Sequence, residues 1–181
     1  AWRISAGTFW QVHREAATAL VDTVLAHAMP AEGEHWWDLY AGAGLFSAFL
    51  GEAVGPAGRI DAVEESASAV ADARRALHDL PQVRLHERSV DAWVRDPNAG
   101  RPHGVVLDPP RAGAGRAVTD AMIAARPARV VTVACDPMPL ARDLATLVDA
   151  GYRVQAVEAF DLFPMTHHVE TIAVLSDDQI S

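Results

Sequence analysis

From His35 onward, short β-prone runs take turns with helical stretches, and few residues separate one from the next. No other feature of the chain constrains its fold as much. Consecutive strands with a helix between them pair in parallel, and a parallel sheet has to be covered on both faces. The β-prone runs are His35–Tyr40, Arg59–Val63, Val83–Arg88, Gly104–Leu107, Arg129–Ala134, Arg153–Phe160 and Val169–Leu175. Helical stretches fall near Leu45–Val54, Ser66–His78, Arg116–Ala125 and Pro137–Ala150. An earlier helix starts at Arg14, with Ala17, Leu20, Val21, Val24, Leu25 and Ala28 on one face, and ends before Met29-Pro30. Between the last two runs there is no helix, only the turn Phe163-Pro164-Met165-Thr166, which predicts an antiparallel hairpin at an edge of the sheet. The pattern therefore predicts one doubly wound α/β domain over residues 1–181, a mostly parallel seven-stranded sheet whose last strand is antiparallel.

Composition narrows the class. Half of the 181 residues are apolar, enough for a hydrophobic core, and no apolar run approaches the roughly 18 residues of a membrane span. The single cysteine excludes an internal disulfide and any metal site built on several thiolates, and it suits a reducing cytoplasm. The formal charge of −9 argues against a broad basic face that would grip phosphates unaided. The chain opens on alanine rather than methionine, so a piece of a longer protein is expected.

In a doubly wound sheet, ligands bind beyond the carboxyl ends of the strands. The first run ends in Asp38-Leu39-Tyr40-Ala41-Gly42-Ala43-Gly44. Gly42 and Gly44 allow either a plain tight turn or a close approach of ligand to backbone. Ser47 stands where a dinucleotide fingerprint would have its third glycine, which lowers the case for NAD or FAD. Glu64 ends the second run, placed to accept from ribose hydroxyls or simply solvated. Asp91 follows the third run, either in reach of an adenine amino group or capping a helix. The fourth run leads into Asp108-Pro109-Pro110-Arg111, where two prolines stiffen the backbone and remove two donors. That loop is either a stiff turn or a platform for a planar ring or a charged cofactor group.

Cys135 ends the fifth run and precedes Asp136-Pro137, a cap and first helical position. The helix N-terminus favours thiolate, whereas the Asp136 carboxylate disfavours it, and the pattern leaves the net open. A packed core thiol is the alternative. Glu170 lies in the mostly apolar last run, where a carboxylate implies a solvated edge or a functional site. His167 and His168 have no third ligand at a metal-binding spacing, so no metal is expected.

Taken together and in order, these segments resemble the RNA uracil-5-methyltransferase family of bacterial tRNA and rRNA enzymes. The resemblance is carried by Phe9-Trp10-Gln11-Val12, Asp38–Ser47, Val63-Glu64, Leu107–Gly113, Ala134–Pro137, Leu140–Leu144 and Asp161–Glu170, and covers Phe9 to Leu175. Three positions depart from it. His13 and Asp136 stand where asparagine is usual, and Leu45 where some members have a polar residue.

The resemblance implies a Rossmann-like class I methyltransferase fold dependent on S-adenosylmethionine (SAM). It also implies SAM contacts from Gln11, Tyr40, Glu64, Asp91 and Asp108, beside the glycine loop of Gly42 and Gly44. Cys135 would be the nucleophile and Glu170 the general base. It implies RNA, a tRNA or rRNA, as substrate, and upstream sequence, often an RNA-binding β-barrel domain. Uracil C5 is too weak a nucleophile to take a methyl group directly, and thiolate addition at C6 activates it. Phe9, Trp10 or Phe163 would stack on the flipped base or pack in the core. Two further readings stay open: a SAM enzyme that needs no cysteine, with Asp108-Pro109-Pro110 at the base, and a SAM- or RNA-binding module without turnover. An NAD-dependent oxidoreductase is more distant.

Overall fold

The computed structural model describes Ser5, residues 14–161 and residues 169–177; Phe9, Trp10, Gln11, the Phe163–Thr166 turn, His167 and His168 lie outside them. Helix α1 (Arg14–Ala28) leads into strand β1 (His35–Leu39), then α2 (Leu45–Val54) and β2 (Arg59–Glu64). Next come α3 (Ala67–Ala76), β3 (Val83–Glu87), the short helix α4 (Val90–Trp93), β4 (Gly104–Leu107) and α5 (Arg116–Ala125). The chain continues through β5 (Arg129–Ala134), α6 (Pro137–Asp149), β6 (Tyr152–Phe160) and β7 (Glu170–Asp177). A 3-10 turn, Pro97–Ala99, precedes β4. The strands form one seven-stranded sheet in the order β3-β2-β1-β4-β5-β7-β6. Pairs among β1 to β5 are parallel, and β7 runs antiparallel to both β5 and β6.

This is the Rossmann-like sheet of class I methyltransferases. The predicted terminal hairpin forms, with β6 outermost and β7 inside it. Burial explains that order. Ile172, Ala173, Val174 and Leu175 make β7 apolar on both faces, whereas β6 carries Arg153, Gln155 and Glu158 and is exposed along most of its length. A strand that reads as a continuous apolar run belongs inside a sheet, and a polar strand tolerates the edge. A bulge between Val154 and Ala156 further breaks the outer ladder.

Adjacent strand residues point to opposite faces, which gives the domain two cores. Trp37, Val105, Val130 and Leu175 pack on one face with α5 and α6. Trp36, Val106, Val131 and Val174 pack on the other with α1 and α2. Helix α4, which periodicity alone does not predict, is only one turn long, capped by the Ser89 hydroxyl accepting from Ala92 N. Its Trp93 meets Trp37 edge to face at 4.9 Å. Across β1 to β3, the buried carboxylate of Asp61 takes hydrogen bonds from His35 (2.6 Å) and His86 (2.7 Å) and an ion pair from Arg59 (2.8 Å). Burial by itself would push that carboxyl up, but these partners outweigh it and hold it well below the usual carboxylate range.

Gly104 opens β4 directly beside Trp36 of β1. A Cβ placed there would stand 2.3 Å from the Trp36 ring, so the indole takes up the space a side chain would need. Gly104→Ala is expected to lower the unfolding free energy by about 1–3 kcal/mol, the usual cost of overpacking. Urea unfolding checks this, with the midpoint falling and the slope unchanged.

Candidate active site

The chain leaves β1 through a strained loop. Tyr40 has φ of 62°, a left-handed conformation costly for any side chain but glycine, and Gly42 and Gly44 follow at 54° and 82°. Glu64 at the end of β2 holds this loop in place. One carboxylate oxygen accepts from Gly42 N at 3.0 Å, and the other from Ser66 N at 2.7 Å. Each oxygen keeps a second lone pair for a ligand hydroxyl. Gly44 does not line the cavity beyond the loop; a Cβ on it would meet Leu77, just past the end of α3, at 2.7 Å and Ala73 of α3 at 3.4 Å, so its smallness serves helix packing.

Beyond the strand ends lies a cavity of about 950 Å³. Tyr40, Gly42, Glu64 and Asp91 line one part of its wall, and Asp108, Cys135 and Glu170 another. Leu45, Phe46, Pro109 and Pro110 supply apolar wall between the acids. Seven of the nine site residues expected from the sequence thus meet in one place. Gly44 stands apart, and Gln11 lies outside the described residues. Asp91 sits in the first turn of α4, half exposed, with Arg95 at 3.9 Å.

Cys135 and Glu170 come together because β7 is reversed. Thr171 pairs with Ala134, so the start of β7 stands beside the end of β5. Residues 35 apart in sequence become neighbours across a single ladder. Glu170 is buried, and burial pushes its carboxyl up from the ordinary value. Cys135 is half-buried, and its thiol is also pushed up, first by burial and then by the negative charges of Glu170 and Asp108. Arg111 opposes this only in part. Burial and these two acids thus raise the thiol, and Asp136 is not among the causes. Its carboxylate turns to cap α6, accepting from Met138 N at 3.0 Å.

Two further acids bear on the site. Burial, with Glu170 and Asp38 adding repulsion, pushes Asp108 up to about 8. Asp38, which was not singled out from the sequence, is buried beneath the glycine loop and raised to about 7 by burial, with Glu64 adding to it. Ser47 donates its hydroxyl to Asp38 at 2.5 Å. Serine at the place of the missing third glycine thus supplies a partner to a buried carboxyl, and an acid at the end of an apolar strand was the signal that could have found it. The other oxygen of Asp38 has no partner among the described residues. No group of three or more histidine, cysteine or acidic side chains suited to a metal stands among the described residues.

Raised carboxyls have a consequence for stability. The folded chain binds protons at Asp108 that the unfolded chain has already released above about pH 4. The stability that follows from this is fully present below pH 4 and is lost as pH rises toward 8. Asp108→Asn removes the charge that has to be buried at high pH. At pH 8 it is expected to raise the unfolding free energy by at least about 1.4 kcal/mol, the worth of a tenfold change in proton affinity. The gain should vanish near pH 4, which denaturant unfolding at the two pH values measures.

Residues 101–178 match the sequence profile of the tRNA (Uracil-5-)-methyltransferase family. A Streptomyces avermitilis protein described as an uncharacterized RNA methyltransferase is 42% identical over 174 residues, covering 96% of this chain and 40% of that one. A Bifidobacterium longum protein of the same description is 40% identical over 188 residues, covering 97% of this chain and 42% of that one. The chain thus spans about two fifths of the length of the curated relatives it matches. Among solved structures, the Pyrococcus abyssi tRNA (uracil-54, C5)-methyltransferase, in complex with S-adenosyl-L-homocysteine, superposes with a TM-score of 0.75 at 28% identity, over 93% of this chain and 40% of that one. A Thermotoga maritima SAM-dependent O-methyltransferase, at 17% identity and a TM-score of 0.67 over 92% of this chain and 66% of that one, shares the fold alone. With the fold, the family profile and the relatives in agreement, the chain belongs to the RNA uracil-5-methyltransferase family, matching its catalytic-domain region.

Proposed function

We propose that residues 1–181 are the catalytic domain of an enzyme that moves a methyl group from SAM to C5 of a uridine in tRNA or rRNA, through a bond between Cys135 and C6 of the base. The observation that carries this reading is that Cys135 and Glu170, next to the paired residues Ala134 and Thr171, both line the cavity that Tyr40, Glu64 and Asp108 share. The cavity fits SAM chemically. Its volume is in the range of ligand sites, and its acids, Glu64, Asp91 and Asp108, suit a cationic ligand with ribose hydroxyls. Tyr40, the Gly42 backbone and these three acids would hold it, with Gln11 as a further contact on the family resemblance. Bound SAM supplies an electrophilic methyl group.

The chain's own residues do the rest. The Cys135 sulfur, once ionised, adds to C6 and leaves C5 electron-rich. Glu170 then removes the proton from the methylated C5, and the electrons of that C–H bond re-form the ring double bond as the sulfur leaves. A carboxyl raised by burial is a better base than a solvated one, which suits Glu170 to this task. Burial and the acids around it raise the thiol, and a cationic ligand beside Asp108 would offset that charge. A uridine in folded RNA has to leave its stack to reach the cavity. With a formal charge of −9, this domain is a poor phosphate-binding surface, so we place the broad grip on RNA in sequence outside residues 1–181.

Covalent trapping tests the reading. The full-length protein with SAM and 5-fluorouridine-substituted RNA is expected to form a denaturation-resistant band, since fluorine on C5 cannot leave as a proton. Cys135→Ala should abolish it. If no band forms with several RNAs, although SAM binds, the covalent route fails in favour of a methyltransferase without an adduct or a binding module.

Glu170→Gln is expected to behave in the opposite sense. With ordinary uridine RNA it should accumulate the methylated adduct, and its turnover should fall about 10²- to 10⁴-fold. Mass spectrometry of the denatured protein would read the adduct. Unchanged turnover would remove Glu170 from its role.

A further inference from the structure

The apolar stripe of α6 is made by Leu140, Leu144 and Leu147, and Asp143 falls on the same face. Its carboxylate is buried, with only 8% of the residue exposed, so it needs partners to be tolerated. It finds them in the loop between β4 and α5. Oδ2 accepts from Ala114 N at 2.7 Å, and Oδ1 takes the Arg142 guanidinium at 3.0 Å. Arg142 in turn donates to Ala112 O at 2.8 Å. Between those two anchors, Gly113 has φ of 86°, and a Cβ on it would stand 2.5 Å from Asp143 Oδ2 and 2.7 Å from Arg142 Nη2. The loop therefore presses bare backbone onto the Arg142-Asp143 pair.

That loop starts at Asp108. Gly113 N closes a turn on Pro110 O at 2.8 Å, and the Tyr40 hydroxyl donates to Ala114 O at 3.3 Å. The backbone of Ala114 is thus gripped on its N–H by α6 and on its C=O by Tyr40 of the cavity wall. Only a hollow of about 10 Å³ separates the loop from Cys135, Asp136 and Pro139, room for roughly one water. Helix α6 begins two residues after Cys135, so the thiol lies just before the helix whose second turn carries the loop's anchor.

We propose that Asp143 is a positioning residue: by holding the Ala114 amide it fixes the Asp108–Ala114 loop against α6, and so sets Asp108 and Arg111 relative to Cys135. Its catalytic meaning rests on the reaction proposed above, but its effect on the thiol does not. Cys135 is the only cysteine within residues 1–181, and mass spectrometry of the peptide that carries it follows its alkylation by iodoacetamide as a function of pH in the full-length protein, without RNA or SAM. This thiol is held up first by burial, then by the Glu170 charge and after it by that of Asp108, while Arg111 of the same loop opposes them more weakly. A freed loop therefore removes more of what raises the thiol than of what lowers it, and lets it ionise more readily.

In Asp143→Ala the midpoint of the alkylation profile is expected to fall toward the ordinary thiol value. Asp143→Asn, which keeps an acceptor for Ala114 N, should stay close to wild type. In the full-length enzyme, kcat should drop about 10- to 100-fold in the alanine variant with little change in KM for RNA. A role confined to stability would lower the melting temperature and leave the midpoint in place. A folded Asp143→Ala with the wild-type midpoint overturns the proposal. If that variant does not fold, Gly113→Ala lifts the loop from the other side, and a wild-type midpoint there overturns it equally. Should the wild type transfer no methyl group, the proposed reaction falls while the alkylation profiles still decide the role of Asp143.

Discussion

The antiparallel ladder between β5 and β7 is the constraint on which the site depends. Had β7 joined the sheet in parallel, its first residue would lie at the opposite end from Cys135, and Glu170 would face the wrong edge of the domain. Because it runs backward, the pairing of Ala134 with Thr171 brings a thiol and a carboxyl into one cavity wall. The reversal is held by packing. Ile172, Val174 and Leu175 are buried on both faces of the sheet, and β6 shields the far side as the exposed edge. Backbone pairing and apolar burial thus position the two groups without a dedicated contact between their side chains.

Acids crowd this end of the sheet, and they are in tension with folding. Asp38, Asp108 and Glu170 are each held above the usual carboxylate range by burial, and Asp38 keeps one oxygen without a partner among the described residues. Asp61 shows the contrast within the same sheet. It too is buried, yet two histidines and an arginine hold it ionised. At Asp38, Asp108 and Glu170 burial is not outweighed in this way, so their carboxyls stay raised, and at Asp108 stability is lost as pH rises. Uncompensated burial of like charges is what a cation-binding, proton-moving site requires and what a purely structural site avoids.

Much of the fold was legible in the residue pattern. The run Val130-Val131-Thr132-Val133-Ala134 and the bounds of α2 and α5 could be read directly, because apolar periodicity and glycine or proline stops agree there. Helix α4 was missed because one turn carries no period, and only Ser89 marks its start. The burial order of the hairpin was implicit in the polar residues of β6, although the sequence was read only as far as an edge hairpin. At the site, the order of the motifs pointed to residues that do share a cavity. What stayed hidden was each residue's task. Gly44 packs on α3, and Asp143 anchors a loop through contacts that link positions 29 apart, whereas the helix cap expected of Asp136 forms.

By itself, the sequence determined the alternation of strands and helices, the sharp turn after β1, the rigid Asp108-Pro109-Pro110 loop and the single thiol available for chemistry. These are local properties: they follow from side-chain periodicity, backbone restriction and residue count, and each can be read within a few positions. Only the tertiary structure decided that β7 lies inside β6, that Cys135 is flanked by Glu170 and Asp108, and that its thiol is therefore raised. Proton affinity and reactivity depend on burial and on charges a few ångströms away, and those neighbours come from strands and loops far apart in the chain.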